Sequence, residues 1–156
     1  MSKFLAAALF ALLVSSSWAS PESLRSVGIQ ASGKDGCNLS DEKGVLGPTI
    51  GLMVDAYDNH PRLPNETIEA VIQTAIYAGC NINEQNAAGL SPLNSAILLN
   101  HPTLVQLLLS NGANPDLKIE GSKKFIDGKD SFALYEFLNA RQKMSPYIGE
   151  ALARYR

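Results

Sequence analysis

The side chains through which this chain could do chemistry are two histidines, two cysteines and 15 carboxylates, and their spacing sends most of them to structural duties. His60 and His101 occupy the same tripeptide, Asn59-His60-Pro61 and Asn100-His101-Pro102. A histidine held between an asparagine and a proline belongs to a turn, where its ring serves the local backbone, so neither reads as a general base. Glu66 and Glu69 stand in the first turn of an apolar-periodic segment, where carboxylates complement the helix dipole. The chain has no G-x-S-x-G elbow, no H-E-x-x-H pair and no phosphate-binding glycine loop. With no C-x-x-C pair and only two histidines, a structural zinc site is disfavoured. The expectation is a chain with no catalytic residue, no metal ligand and no cofactor, hence no enzyme.

Stepping from side chains to the elements that carry them, the informative stretch runs from Gly79 to Asp116. Gly79-Cys80-Asn81-Ile82-Asn83 returns 33 residues later as Gly112-Ala113-Asn114-Pro115-Asp116. The apolar pairs Val71/Leu104, Ile72/Val105 and Ile76/Leu109 keep that offset. Between the copies lies Gly89-Leu90-Ser91-Pro92-Leu93-Asn94-Ser95-Ala96: a turn glycine, a hydroxyl cap, proline at the first helical position, then an apolar face. A 33-residue period with a T-P-L-H-x-A-like helix start resembles the ankyrin repeat, with Ser91 for Thr and Asn94 for His. Residues 79–116 match one whole unit without a gap.

The flanks are degenerate. Thr67 to Ala78 fits the second helix of a preceding unit and Thr49 to Asp58 its first. The Asn-His-Pro tripeptides lie 41 apart, so that unit carries eight extra residues around Arg62-Leu63-Pro64. A third unit would start near Phe132, with Leu134 again 41 after Leu93, and Tyr147 to Arg156 would close it. The resemblance implies an all-α ankyrin solenoid of about three helix-turn-helix repeats, near the minimum for mutual burial, with β-hairpin-like connecting loops. The domain so defined covers residues 49–156 and follows an N-terminal extension, 20–48.

Residues 1–19 have the build of a secretory signal peptide. Lys3 precedes an apolar run from Phe4 to Val14, and Ser17 and Ala19 are small residues suited to cleavage after Ala19. Eleven apolar residues are too few for a membrane-spanning helix, which needs about 20, so no stable membrane insertion is expected after cleavage. Removing this leader takes away Lys3 and the sole tryptophan, Trp18. It leaves 12 basic against 15 acidic residues, a net of −3. That balance argues against nucleic-acid binding, which depends on clustered positive charge. In an oxidising compartment Cys37 and Cys80 would either form a disulfide, stapling the extension to the first repeat, or remain two free thiols with Cys80 a small core residue.

What the resemblance implies about function is a surface. In ankyrin-like proteins the loops between units project as fingers and the first helices line a concave face, and partners bind there. Carried over by position, the partner-binding candidates on the first finger are Glu84, Gln85 and Asn86. Asn94, Leu98 and Tyr135 would face the concavity. Lys118, Glu120, Lys123, Lys124 and Phe125 lie on a second finger, Asp116 to Asp130, that exceeds the family length. The alternation of Leu117 and Ile119 with Lys118 and Glu120 allows a β-hairpin arm turning at Gly121-Ser122. Phe125 and Ile126 are then either packing residues of that arm or exposed anchors for an acidic surface.

The partner expected is another protein, with the periplasm as the site of action and secretion as the alternative. An immunity protein restraining a secreted toxin is the specific form, and a scaffold or stabiliser of a periplasmic enzyme its alternative. A small hydrolase is the reading from a different class. The processing step is directly testable: exported protein should begin at Ser20 and lack tryptophan emission, by intact mass and fluorescence. An emission band from Trp18 would refute cleavage after Ala19.

Overall fold

Proline and a short polar side chain set most of the helix starts. In the computed structural model, which describes residues 22–33, 35–121 and 123–156, Ser91 Oγ accepts from the Asn94 N–H at 3.2 Å and Pro92 opens the helix behind it. Asp130 accepts from the Ala133 N–H at 2.8 Å in the same way. Pro102 and Pro146 open two further helices. Both devices use the free N–H groups of a first turn, which proline lacks and a side-chain oxygen satisfies. The expected leader, residues 1–19, lies outside the described residues.

Six helices form three antiparallel pairs. After the short α1 (Glu22–Ser26), they are α2 (Thr49–Ala56) with α3 (Asn65–Tyr77), α4 (Pro92–Leu98) with α5 (Pro102–Ser110), and α6 (Ser131–Asn139) with α7 (Pro146–Ala153). The first helices make one row, α2 against α4 and α4 against α6, while α5 packs on α7. The 33-residue register holds at the level of burial: Val71 and Ile72 on α3, and Leu104 and Val105 on α5, are all in the core. Leu93, Ala96, Ile97, Leu104, Val105 and Leu108 of the middle pair are wholly excluded from solvent.

Three details differ from the sequence reading. The chain is not all-α: β1 (Gln30–Ser32), β2 (Asn38–Asp41) and β3 (Gly44–Pro48) form an antiparallel sheet in the order β1-β2-β3 within the extension. Strands of three to five residues carry little periodicity. The β2–β3 hairpin closes at the turn in which Asp41 Oδ1 accepts from the N–H groups of Lys43 and Gly44, at 2.7 and 3.1 Å. α3 begins at Asn65, two residues before the expected Thr67, and the Asn65 side chain accepts from the Asp58 N–H and donates to the Asp58 carboxylate, bracing the turn after α2. And it is Asp58, at φ 59°, rather than Asn59, that takes the left-handed place Asn100 holds at φ 60°. Each lies two residues past its helix end, so backbone geometry and not residue identity sets the equivalence.

The sheet is tied to the repeats three times. Cys37 and Cys80 form a disulfide, with Cα atoms 5.2 Å apart and a sequence separation of 43. Closing a loop of that length contributes roughly 3–4 kcal/mol in the chain-entropy account. Beside it the Thr49 N–H donates to the Cys37 carbonyl at 2.8 Å and Thr49 Oγ1 to the Gly36 carbonyl at 3.0 Å. Leu24 and Leu39 join the common core, each 1% exposed. The extension therefore covers the open side of the first helix pair, where a preceding repeat would otherwise be needed.

Leu108 is fully buried on α5, which packs on α4 and on α7. Leu108→Ala should cost about 2–5 kcal/mol through the lost transfer energy and the cavity left behind. Denaturant unfolding measures it, and a loss below about 1 kcal/mol would contradict this packing.

Candidate functional site

The fingers are built by asparagine turns that repeat with the helices. Asn81 Oδ1 accepts from the Asn83 N–H and Asn114 Oδ1 from the Asp116 N–H, both at 3.0 Å and 33 residues apart. Asn83 Oδ1 then accepts from the Asn114 N–H at 2.8 Å, joining one finger to the next. At the tip of the first finger Asn86 Oδ1 accepts from the N–H groups of Ala88 and Leu90. Gln85 Nε2 bridges outward, donating to the Gly89 carbonyl at 2.9 Å and the Lys118 carbonyl at 2.7 Å.

Gly89 is the point of closest approach. Its φ is 71°, and a Cβ there would lie 1.6 Å from the Glu120 carbonyl oxygen. The sequence marked this glycine as a turn residue; what it also does is let the second finger lie directly on the first.

The second finger is no β-hairpin arm. No strand is assigned among its described residues, and Ser122, half of the expected turn, lies outside them. The finger folds instead as a compact loop. Ile119 donates its N–H to the Lys129 carbonyl and accepts from the Gly128 N–H, and the Ser131 N–H closes the base on the Pro115 carbonyl. Asp127 Oδ1 accepts from the Gly121 N–H. Ile119 and Ile126 plug the loop, at 0% and 3% exposure, because eight extra residues with two isoleucines can bury their own apolar side chains without pairing as strands. Phe125 is different: it is 55% exposed and stacks on Phe137 at 6.0 Å.

Between the fingers and α4 runs a groove of about 530 Å³ lined by Ala88, Leu90, Leu98, Gly121, Lys123, Phe125 and Ile126. Its floor is apolar. Beyond Phe125 the Phe137 ring carries the Arg141 guanidinium at 3.6 Å and the Lys129 ammonium at 5.2 Å, both within cation–π range.

The sequence candidates separate clearly on this frame. Leu98, Lys123 and Phe125 come together in the groove. Glu84, Lys118, Glu120 and Lys124 are exposed on the fingers outside its lining. Gln85 and Asn86 are spent in the finger hydrogen bonds. Asn94 does not face the concavity: it is 0% exposed, donating to the Leu117 carbonyl at 3.2 Å and accepting from Ser131 Oγ at 2.7 Å. Tyr135 also points elsewhere, its hydroxyl lying against Gly149 of α7, where a Cβ would meet it at 2.8 Å. Asn94 and Gln85 are claimed by the following finger and helix, Asn86 by its own turn, and Tyr135 by the helix paired with its own.

Sequence reasoning missed Leu90, Ala88, Phe137, Lys129 and Asp55. Asp55 on α2 is an exposed residue whose carboxyl end leans into the fold. Burial of that end raises its pKa, against hydrogen bonds from Ser95 and Asn86 that lower it. No sequence signal marks it, since it belongs to the degenerate first unit. The two histidines hold turns as expected: His60 Nδ1 accepts from the Arg62 N–H at 3.3 Å, and His101 packs edge-on to Tyr57. Burial lowers the His101 pKa, opposed by the Asp58 carboxylate 3.4 Å away. Among the described residues no His, Cys, Asp or Glu group clusters as a metal site would, and no helix is long and apolar enough to cross a membrane.

Comparison with known proteins agrees with the repeat geometry. Residues 88–119 match the ankyrin-repeat family model. The findings support the ankyrin-repeat family. An ankyrin and IPT/TIG repeat-containing protein of Schizosaccharomyces pombe is 46% identical over 78 residues, 49% of this chain and 7% of its own length. The 2-5A-dependent ribonuclease of Homo sapiens is 33% identical over 87 residues, 51% of this chain and 12% of its own. The chain thus spans only a small part of the curated relatives it matches. No solved structure matches it at the same level of significance. Ankyrin repeats are general protein–protein interaction modules, and the groove lies on the face formed by their first helices and fingers.

The finger contact gives a sharp test. Gly89→Ala should lower the melting temperature by several degrees, combining left-handed strain of about 1–3 kcal/mol with displacement of the Glu120 carbonyl. Hydrogen exchange at the Glu120 amide, which donates to the Gly89 carbonyl at 3.3 Å, should accelerate with it. Unchanged melting and exchange would show that the fingers do not support each other.

Proposed function

We propose that this chain is a non-catalytic, exported protein that binds a partner protein on its concave face and holds it in a restrained state. The observation that carries the reading is the groove itself. Leu98, Phe125 and Ile126 form an apolar floor at the junction of two fingers, and Phe125 stays exposed although a stacking partner is at hand. An exposed aromatic beside a shallow apolar groove with a cationic rim has the make-up of an interface hot spot.

The export part of the proposal draws on the leader-like residues 1–19 and on the Cys37–Cys80 disulfide, which suits an oxidising compartment such as the periplasm. The restraint is proposed in the form of immunity: the chain keeps a secreted toxin inactive until the two separate. Stabilising a periplasmic enzyme uses the same groove and differs only in its effect on the partner's activity. Reading the chain as a binder draws on its perturbed groups. Asp55 within α2, Tyr57 just after it and His101 before α5 are each shifted chiefly by burial.

The test is capture from periplasmic extract by the full mature chain, with the captured protein identified and assayed free and bound. Leu98→Glu combined with Phe125→Ser should leave the circular dichroism and melting curve close to the parent's, since both side chains are partly or largely exposed, while abolishing capture. Capture that survives both substitutions would place binding elsewhere. Inhibition of the captured protein supports restraint, and stabilisation without inhibition supports the scaffold form.

A further inference from the structure

The cations around the groove have no carboxylate partner, whereas of the three carboxylates between Glu120 and Asp130 two are held by backbone N–H groups. Asp127 accepts from the Gly121 N–H at 2.9 Å and Asp130 caps α6 at 2.8 Å. Glu120, the third, is exposed but does not line the groove. Among the described residues the only ion pairs are His101 with Asp58 and Arg156 with Glu136. Lys123, at the groove wall, and Lys129 and Arg141, over the Phe137 ring, therefore have no carboxylate partner. Because Phe125 stacks on Phe137, the two rings run from the apolar groove to these two cations without a break.

We propose that the groove receives an acidic segment of the partner protein. One apolar side chain of that segment seats among Leu90, Leu98, Phe125 and Ile126, and flanking carboxylates meet Lys123 at one end and Lys129 with Arg141 at the other. This rests on the reading of the concave face as a protein-binding surface and specifies what that surface selects. Arg141 is suited to the part: its guanidinium lies over the Phe137 ring at 3.6 Å and donates to the Phe137 carbonyl at 3.0 Å. Little side-chain freedom is then left to lose when a carboxylate arrives, and the planar fork offers two parallel donors.

The experiment uses the full mature chain and three acetylated pentapeptides: one with a central leucine flanked by glutamates, one with the leucine replaced by glycine, and one with the glutamates replaced by lysines. Nuclear magnetic resonance shifts of the Leu98, Phe125 and Phe137 amides report binding. The leucine–glutamate peptide should bind about tenfold more tightly than either relative, and the advantage over the lysine peptide should shrink between about 0.05 M and 0.5 M salt. Lys123→Glu combined with Lys129→Glu should reverse the charge preference. The wild-type salt dependence decides the matter even if that double variant fails to fold.

Equal or better binding of the lysine peptide would overturn the acidic specificity while leaving the binding face intact. Equal binding of the glycine peptide would overturn the seated apolar side chain. If no peptide shifts these amides although capture still depends on Leu98 and Phe125, the inference fails and the broader reading stands. Equal affinity for a single-stranded oligonucleotide would also overturn it, since a generic anion site would then be enough.

Discussion

A helix pair as short as α4–α5 has more apolar surface than it can hide against itself, and every other feature of the molecule answers to that. Leu93, Ala96 and Ile97 on one helix and Leu104, Val105 and Leu108 on the other are all closed to solvent, which requires cover on both sides. On one side α6–α7 supplies it. On the other stand α2–α3, themselves covered by a small sheet that the disulfide and Thr49 clamp in place. Stacking at this spacing brings the fingers into contact, and the contact leaves no room for a side chain at Gly89. The groove is what remains between elements whose positions the core has already set.

Polar groups follow the same logic. Asn94 is buried because the stack closes over it, and it survives there because Leu117 and Ser131 satisfy both ends of its amide. It links the middle unit to the finger and helix of the next. Gln85 does the equivalent service between fingers. Residues that family analogy would place at a binding surface are thus drawn into cohesion in a short array. The surface proposed for recognition is what the array leaves over: the exposed ring of Phe125, the end of α4 at Leu98, and cations without partners.

The enlarged finger shows how a departure from repeat length becomes a surface feature. Eight added residues form a loop that seals itself with Ile119 and Ile126 and still presents Phe125 outward. The two residues of this pair part company: Ile126 packs inside the loop and Phe125 is displayed. Adjacent side chains in an irregular loop face different ways, and a pattern of residue types cannot say which.

The sequence by itself determined the repeat, its register and its helix starts, because a 33-residue period, a capping Ser91 and prolines at first turns are local signals read within a few residues. Leu98, Lys123 and Phe125 were also legible as surface candidates from where the loops had to fall. Only the tertiary structure decided the sheet of the extension, whose strands of three to five residues are too short to announce themselves, and the fates of Asn94, Gln85 and Tyr135. Those depend on groups of other elements brought near by packing. The gathering of Leu90, Phe137, Lys129 and Arg141 around Phe125 belongs to the same class. It joins residues from two fingers and from α6 and the turn beyond it, and no period along the chain encodes which of them will meet.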